Sequence, residues 1–374
     1  MNAAEFIDLE TAERMAQNGD LRHGEFAGDT TAAKPQSDHR KMFEGEFSME
    51  DLASVTFPPV KWIVDGLVPE GCTVLAGPPK SCKSWFCLDV GVAVASGNYC
   101  FGDYKCVQGD VLYLALEDNP RRLKDRLEKI TTTTADKGWR KRLRFRTKVE
   151  RCDEGGLEHI RGWLNSVQNP RLVIVDVLQK FRSNRGRSDT LYEGDYGAIT
   201  ALQELAAEYS VGVLIVHHTR KGNGDGDPFE EISGTNGITG AADTSLVLKR
   251  GSNGSTLYCR GRDVEEYEKA ILWDREACRW IIQGDATEVR RTSERGAILA
   301  VLEDAEEPLK PVDIANLADM RRNNVDRLLG KMMKAGEILK AGRGQYVHPS
   351  KAHLVPSTPG KNGKKVRNRE DGDK

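Results

Sequence analysis

The run Cys72–Ser84, CTVLAGPPKSCKS, decides the fold. Cys72–Ala76 is a short, continuous apolar run, the kind that fits a strand buried on both faces of a parallel sheet. Gly77, Pro78, Pro79, Lys80, Ser81, Cys82, Lys83 and Ser84 follow, and an apolar helical pattern then runs to Ala95. The eight residues match GxxxxGK[ST] at the first glycine, the lysine and the final hydroxyl, in the strand–loop–helix context that the pattern requires. Such a loop aims backbone N–H groups and the positive end of a helix dipole at phosphates, with the two prolines stiffening the approach. Lys83 is then placed to reach the β- and γ-phosphates of a nucleotide, and Ser84 to ligate Mg²⁺. One position departs from the pattern, because Cys82 stands where a glycine precedes the lysine. Glycine serves there because a Cβ would crowd the phosphates, so weakened binding is expected. A thiol beside a lysine and a helix N-terminus also reads as open to oxidation.

Three more apolar runs share the texture: Val111–Ala115, Leu172–Asp176 and Val213–His217, with helical patterns at Arg121–Ile130, Gly156–Ser166 and Thr200–Tyr209. Later runs at Ser245–Lys249, Thr256–Arg260, Ala270–Trp273 and Trp280–Ile282, separated by turns such as SNGS, read as an antiparallel extension of the same sheet. Strands alternating with helices predict an α/β fold with a mixed, mainly parallel sheet and ligands at the carboxyl ends of its strands. Three of those ends carry chemistry. Asp176 closes LVIVD, the place where a carboxylate holds Mg²⁺ in phosphate-loop proteins, or is simply a strand-terminal aspartate. Glu117 follows VLYLA as a candidate general base, with Asp118 as a structural or ion-assisting neighbour. His217-His218 ends VLIVH, with His218 a candidate γ-phosphate sensor or one of two structural histidines.

The chain has 374 residues, enough for two or three domains. Residues 1–47 are polar and are expected to form a disordered arm, with one short helix around Ala4–Gln17; 48–285 hold the α/β core. From about 286 the texture changes. SERGAILAVLED, PLKPVDIANLA and MRRNNVDRLLGKMMKAG read as three helices, and EILKAGRGQYVHP as two strands, which is the plan of a small C-terminal winged-helix domain over 286–350. Residues 351–374 read as a disordered basic tail. A formal net charge of -2 gives no global basic field, so nucleic-acid contact must come from local patches. No apolar run is long enough for a transmembrane helix, and the opening residues lack the basic and apolar regions of a signal peptide. Eight cysteines without CxxC or framework spacing suggest a reducing, cytoplasmic compartment and no structural zinc.

In order, GPPKSCKS, LALEDNPRRLKDRL, VIVDVLQKF, VLIVHHTRKG, ISGTNGITGAADTSLVLKR and CRGRDVEE resemble the RecA-like ATPases of the RepA type, the hexameric replicative helicases of plasmids and phages within the AAA-like group. The resemblance spans roughly Phe57 to Trp280. It implies a RecA-like P-loop NTPase core, ATP and Mg²⁺ as ligands, and a homo-oligomeric, hexameric ring with active sites between subunits. It also implies single-stranded DNA and replication loading or initiator proteins as partners. Lys83, Ser84, Glu117 and Asp176 match the nucleotide side and His218 the γ-phosphate sensor, while Arg260 and Arg262 match the place where such rings supply basic fingers in trans. The matching channel loop, Arg220–Asn236, opens with Arg220 and Lys221 but holds Asp225, Asp227, Glu230 and Glu231, which phosphates would repel.

Two readings result. One is an ATP-driven helicase translocating on single-stranded DNA. The other is a slow ATPase acting as a nucleotide-switched DNA-binding or regulatory protein, for which Cys82, the acidic loop and the near-neutral charge speak. A small-molecule kinase lacks an arginine-rich acceptor lid. In the third helix of the winged-helix segment, Arg321, Arg322, Arg327, Lys331 and Lys334 face Asp326 alone, with Arg343 in the turn. These suit DNA phosphates, with Asn323 or Asn324 for an adenine edge, or else form a solvated protein-contact face.

Overall fold

The computed structural model describes residues 43, 45–131, 138–183, 191–219, 226–232, 236–251 and 254–355. The expected N-terminal arm and its Ala4–Gln17 helix fall almost wholly outside them. Met1–Val55 is one unit, and within it a single turn of helix, α1 (Met49–Ala53), opens on a capping box between Ser48 and Asp51.

Thr56–Lys374 is the second unit. A small pair, β1 (Trp62–Val64) and β2 (Val68–Pro69), leads into β3 (Gly71–Gly77), and α2 (Lys83–Ser96) follows the phosphate-loop sequence. The chain continues through the short strands β4 (Tyr99–Cys100) and β5 (Tyr104–Lys105), then β6 (Asp110–Ala115), α3 (Pro120–Ile130), β7 (Leu143–Arg146), α4 (Leu157–Ser166) and β8 (Pro170–Asp176). After them come α5 (Leu178–Phe181), α6 (Leu191–Tyr209), β9 (Gly212–His218) and α7 (Asn236–Ala241). Four strands complete the sheet: β10 (Thr244–Gly251), β11 (Gly254–Gly261), β12 (Tyr267–Asp274) and β13 (Arg279–Asp285). Nine strands form one sheet in the order β13-β12-β11-β10-β3-β9-β8-β6-β7. The six from β10 to β7 are parallel, and β11, β12 and β13 extend them antiparallel; the run Ser245–Lys249, expected to open the antiparallel extension, instead lies in β10, parallel to β3, because the chain crosses over through α7 before entering it.

Both faces of the parallel part are covered, which is why its strands read as unbroken apolar runs. Ile174 and Leu214 face α2, where Phe86, Val90 and Val94 are fully buried. Their neighbours Val173, Val175, Val213 and Ile215 face the other way, onto Ile160 and Leu164 of α4 and Ile199, Leu202 and Ala206 of α6. The period of two thus builds two cores from one strand sequence. Each fully buried aliphatic side chain contributes about 1.5–3 kcal/mol.

Asp285 ends β13 and caps α8 (Ala286–Asp304), its carboxylate accepting from Thr287 N and Glu288 N at 2.9 and 3.0 Å. α9 (Pro311–Leu317), α10 (Arg322–Lys334) and the hairpin β14 (Leu339–Gly342)–β15 (Gln345–Val347) follow around a separate core of Ile298, Leu302, Ile314, Leu328, Leu329 and Met332. Leu309 exchanges two backbone hydrogen bonds with Tyr346, which fastens the hairpin to the start of α9. The first residues of the expected tail are folded: a 3₁₀ turn spans Pro349–Leu354, and Lys351 Nζ donates to Ala305 O at 2.5 Å. That bond anchors the turn to the C-cap of α8, a partner 46 residues away that composition does not reveal. The remainder of 351–374 lies outside the described residues. Among those described, no helix is long and apolar enough to cross a membrane.

One buried charge ties α2 to the antiparallel strands. Asp89 is 1% exposed, faces Arg279 Nε at 3.5 Å and accepts from Phe101 N at 3.4 Å. Burial pushes its carboxyl from 3.8 up to about 6, with Arg279 opposing. A carboxyl raised in the folded state stabilises fully below its unfolded value and loses that contribution as pH rises through the folded one. Relative to the parent, Asp89→Asn should therefore gain stability between about pH 4 and 6. Urea midpoints across that range check it; parallel curves for parent and variant would refute the assignment.

Candidate functional site

The loop between β3 and α2 is compact because its residues leave no slack. A Cβ on Gly77 would meet Leu248 O at 2.9 Å and Ser81 Oγ at 3.2 Å, so only glycine fits where the loop leaves the strand. Lys80 and Cys82 both have left-handed backbone, with φ of 62° and 63°. Cys82 is the residue immediately before α2. Glycine at this point of the pattern is thus a conformational requirement as well as a matter of room for phosphates. A non-glycine residue in this region carries about 1–2 kcal/mol of strain. Neighbours hold Cys82 there. Its carbonyl accepts from Trp280 Nε1 at 3.3 Å and Phe86 N at 3.1 Å, and Arg250 Nη2 lies 3.6 Å from its sulfur. Arg250 is a cation at the loop that sequence reading passed over; its place at the far end of β10 became visible only with the strand pairing.

Lys83 is 4% exposed and donates to Gly77 O and Pro78 O, both at 2.8 Å, and to Ser81 Oγ at 3.4 Å. Burial lowers its ammonium to about 8, against the pull of Asp176, Cys87 and Glu117, so it stays charged near neutrality. Asp176 ends β8, directly opposite Ala115 of β6. Its carboxylate accepts from Tyr113 Oη at 2.8 Å and from the Ser84 hydroxyl. Burial raises the Asp176 carboxyl, the two hydroxyls oppose that, and Glu117 adds to it. Tyr113, read from sequence as an interior strand residue, is therefore part of the site.

Parallel register brings the other ends level. His217 pairs with Ala76 and His218 with Gly77, and Thr219 N donates to Gly77 O at 3.1 Å. His218 is lowered by burial and by Lys83, with Glu117 and Asp176 acting against them, which puts all four groups at one sheet edge. His217 is buried and lowered to about 4, chiefly by desolvation, and stands near the Arg182–Asp195 ion pair (2.7 Å). The two acids after β6 divide. Asp118 is held by Arg122 Nε at 2.8 Å and Arg126 Nη1 at 2.6 Å, whereas Glu117 acts on Lys83, Asp176 and His218.

Arg260 and Arg262 are not part of this assembly. Arg260 pairs with Ser245, which pairs with Val74 in the middle of β3, and Arg262 N donates to Asp243 O, whose own N–H donates to Cys72 O, so Arg260 is level with mid-strand and Arg262 with the end of β3 away from the loop. Arg260 bridges Asp227 (3.0 Å) and Glu266 (2.8 Å) and stacks over Phe229 at 4.3 Å. Arg262 reaches Asp243 at 3.3 Å and Gly240 O at 3.0 Å and is more than half exposed. Two of the four loop acids are likewise paired: Asp227 with Arg260, and Glu231 with Lys249 at 2.8 Å. Phe229 and Ile232 of that loop are buried; Arg220, Lys221 and Asp225 lie outside the described residues.

The donor set fits a hard dication that takes few protein ligands. Ser84 and Asp176 are already in contact, and no cluster of three or more His, Cys, Asp or Glu able to hold a metal occurs among the described residues. Mg²⁺ is bound in this manner, through one or two protein oxygens plus substrate phosphates and water.

The family model described as an AAA domain matches residues 38–224. No curated protein matches. Among solved structures, one described as an "ATPase Domain" aligns at 13% identity with a TM-score of 0.48, covering 62% of this chain and 94% of that one. "The Structure Of A DnaB-Like Replicative Helicase And Its Interactions With Primase" aligns at 11% identity with a TM-score of 0.45, covering 66% and 68%.

Replacing Cys82 by glycine removes the left-handed strain but frees the unfolded backbone, a loss of about 0.4–1 kcal/mol against a gain of about 1–2. Cys82→Gly is expected to raise stability by roughly 0.5–1 kcal/mol, whereas Cys82→Ala, which keeps a Cβ, should not. Paired denaturation curves test this, and equal behaviour of the two variants would refute the strain argument.

Proposed function

The chain belongs to the AAA-domain family, and from that premise we propose that it is an ATP-driven DNA motor of the RepA-like replicative helicase type. A P-loop ATPase domain binds ATP. The observation that carries the reading is the convergence of Lys83, Ser84, Glu117, Asp176 and His218 on one sheet edge. In this reading the α/β, RecA-like core spans 48–285 and a winged helix spans 286–350.

The loop Gly77–Ser84 cradles the phosphates, and Lys83 leaves its loop carbonyls to neutralise the β- and γ-phosphate oxygens. Ser84 and Asp176 would hold Mg²⁺, which withdraws charge from the transferring phosphoryl group. Glu117 polarises the attacking water as general base, and the engagement of Asp118 by two arginines leaves that role to Glu117. His218, level with Gly77, senses the γ-phosphate. Arg260 and Arg262, remote from their own loop, act across a subunit interface in a homo-hexameric ring. Arg262 is the better placed, with one carboxylate partner at 3.3 Å against two closer ones for Arg260.

Single-stranded DNA is the track in this proposal. The pairing of Asp227 and Glu231 removes half of the acidic objection to the channel loop. The exposed side of α10, with Asn323, Lys331 and Lys334, together with Arg321 just before it, offers a further DNA contact; Arg322 is paired with Asp326 and Arg327 with Asn324. Replication loading or initiator proteins and a cytoplasmic setting complete the reading. One observation favours the alternative of a slow, nucleotide-switched DNA-binding protein, namely the strained backbone at Cys82.

Steady-state ATP hydrolysis with and without single-stranded DNA decides between them: strong stimulation supports the motor, and slow, DNA-indifferent turnover the switch. Lys83→Ala should abolish hydrolysis, and Glu117→Gln should bind ATP but turn over about 10²–10⁴-fold more slowly. Normal rates in either overturn the site. Arg262→Ala should keep nucleotide binding and lose turnover, and mixing it with Glu117→Gln should restore part of the activity if sites are shared.

A further inference from the structure

At the far end of the sheet from its antiparallel strands, β7 is an edge, and α4 does not cover all of it. Between them opens a cleft of about 480 Å³, with Leu112 of β6 among its lining residues. Its walls follow from two periodicities. On β7, Leu143 and Phe145 turn toward the α2 side, where Phe145 packs against Tyr113 at 5.5 Å, so Arg144 and Arg146 turn toward α4. On α4, the lining residues His159, Gly162, Trp163 and Ser166 recur at i, i+3, i+4 and i+7, one face of a helix. Apolar side chains are what such a stripe needs to seal a core. Here its middle is a glycine whose added Cβ would meet nothing within 4 Å, and the stripe stays open.

The charge and the aromatic surface are arranged for a particular ligand. Arg144 and Arg146 are exposed, two residues apart on a strand and hence about 6.6 Å apart, with Glu158 the one acid in the lining. Arg144 Nε donates to Lys141 O at 3.2 Å, which orients that guanidinium. Trp163 is half-buried, and its indole N–H is shielded from water with no hydrogen-bond partner among the described residues, so packing alone positions the ring. His159 is held below its usual value by burial and by Arg146, so it adds a neutral ring to the wall.

We propose that this cleft binds a nucleotide unit of single-stranded DNA, the Trp163 indole stacking on a base and Arg144 and Arg146 pairing with consecutive phosphates. Base stacking on an aromatic side chain beside a basic track is how single strands are held without sequence preference. The proposal deepens the motor reading and rests on it for the identity of the strand. It places another DNA contact outside the nucleotide site, the loop after β9 and α10.

The test is fluorescence anisotropy of the full chain with a labelled oligothymidylate, without ATP, across a salt series. Arg144→Ala/Arg146→Ala should weaken binding about tenfold or more and flatten the log-affinity against log-salt slope by about 1.4, the signature of two lost phosphate contacts. Gly162→Leu, which fills the cleft at unchanged charge and improves helix propensity, should weaken binding as much, while DNA-independent ATP hydrolysis stays at parent level in both. If the parent binds and Gly162→Leu binds equally well, the cleft is not the site and the motor reading stands untouched. If poly-glutamate displaces the oligonucleotide as well as unlabelled DNA does, the cleft takes acidic chains in general and the assignment to DNA falls. A parent that hydrolyses ATP yet binds no single strand removes the motor reading, and with it this ligand.

Discussion

Level pairing of the parallel strands is the constraint on which the site depends. Gly77, Glu117, Asp176 and His218 are far apart along the chain, yet the registers Gly77↔His218, Val175↔Ile215 and Ala115↔Asp176 bring their strand ends together at the carboxyl edge of the sheet, within two residues of one another. A slip of one residue in any of these ladders would turn every side chain of that strand to the opposite face and move its terminal group by about 3.3 Å. The two apolar cores prevent the slip, because Ile174 and Leu214 fill one side while Val173, Val175 and Ile215 fill the other.

The polar groups at that edge are kept in place by partners of their own. The Asp176 carboxylate is steadied by two hydroxyls, from Tyr113 and Ser84, and the Lys83 ammonium by loop carbonyls. Asp118 is taken up by Arg122 and Arg126, and the latter also lies over Trp85 at 5.4 Å from its ring centre. Trp85, Trp273 and Trp280 then run in contact from α2 across the antiparallel strands, so the carbonyl contact from Trp280 to Cys82 belongs to a continuous aromatic wall beneath the loop. The loop is braced both by the strand it leaves and by strands made some 200 residues later.

Much of this was legible in the sequence. Runs such as LVIVD and VLIVH carry their strand character in four adjacent apolar residues, and the structure extends the first by two residues at its start and the second by one at each end. The phosphate loop announced itself by spacing, and the antiparallel extension by its turns. What escaped detection depended on partners far away in the chain. LRFR, residues 143–146, alternates over too few positions to declare a strand, yet it is the sheet's edge. The backbone twist at Cys82 is set by neighbours that sequence cannot bring together, and the approach of Arg250 depends on β10 lying beside β3. For Arg260 the strand was readable, but its height, and that of Arg262 just beyond the strand, relative to the phosphate loop was not, since that follows from the register across β11, β10 and β3.

The position of β3 has a consequence for how the protein is made. β3 lies between β9 and β10, and Gly71 finds its partner at Gly212, about 140 residues downstream. At a synthesis rate of about 5–20 residues per second, the strand that begins the phosphate loop waits roughly 7–30 s on the ribosome before its first neighbour in the sheet exists. During that interval both of its backbone edges are unmatched, although α2, made directly after it, is available to cover the face that carries Leu75. A nascent chain in that condition is a natural client for chaperones that bind extended apolar segments, and crowding of polysomes would favour pairing between chains over the wait for β9.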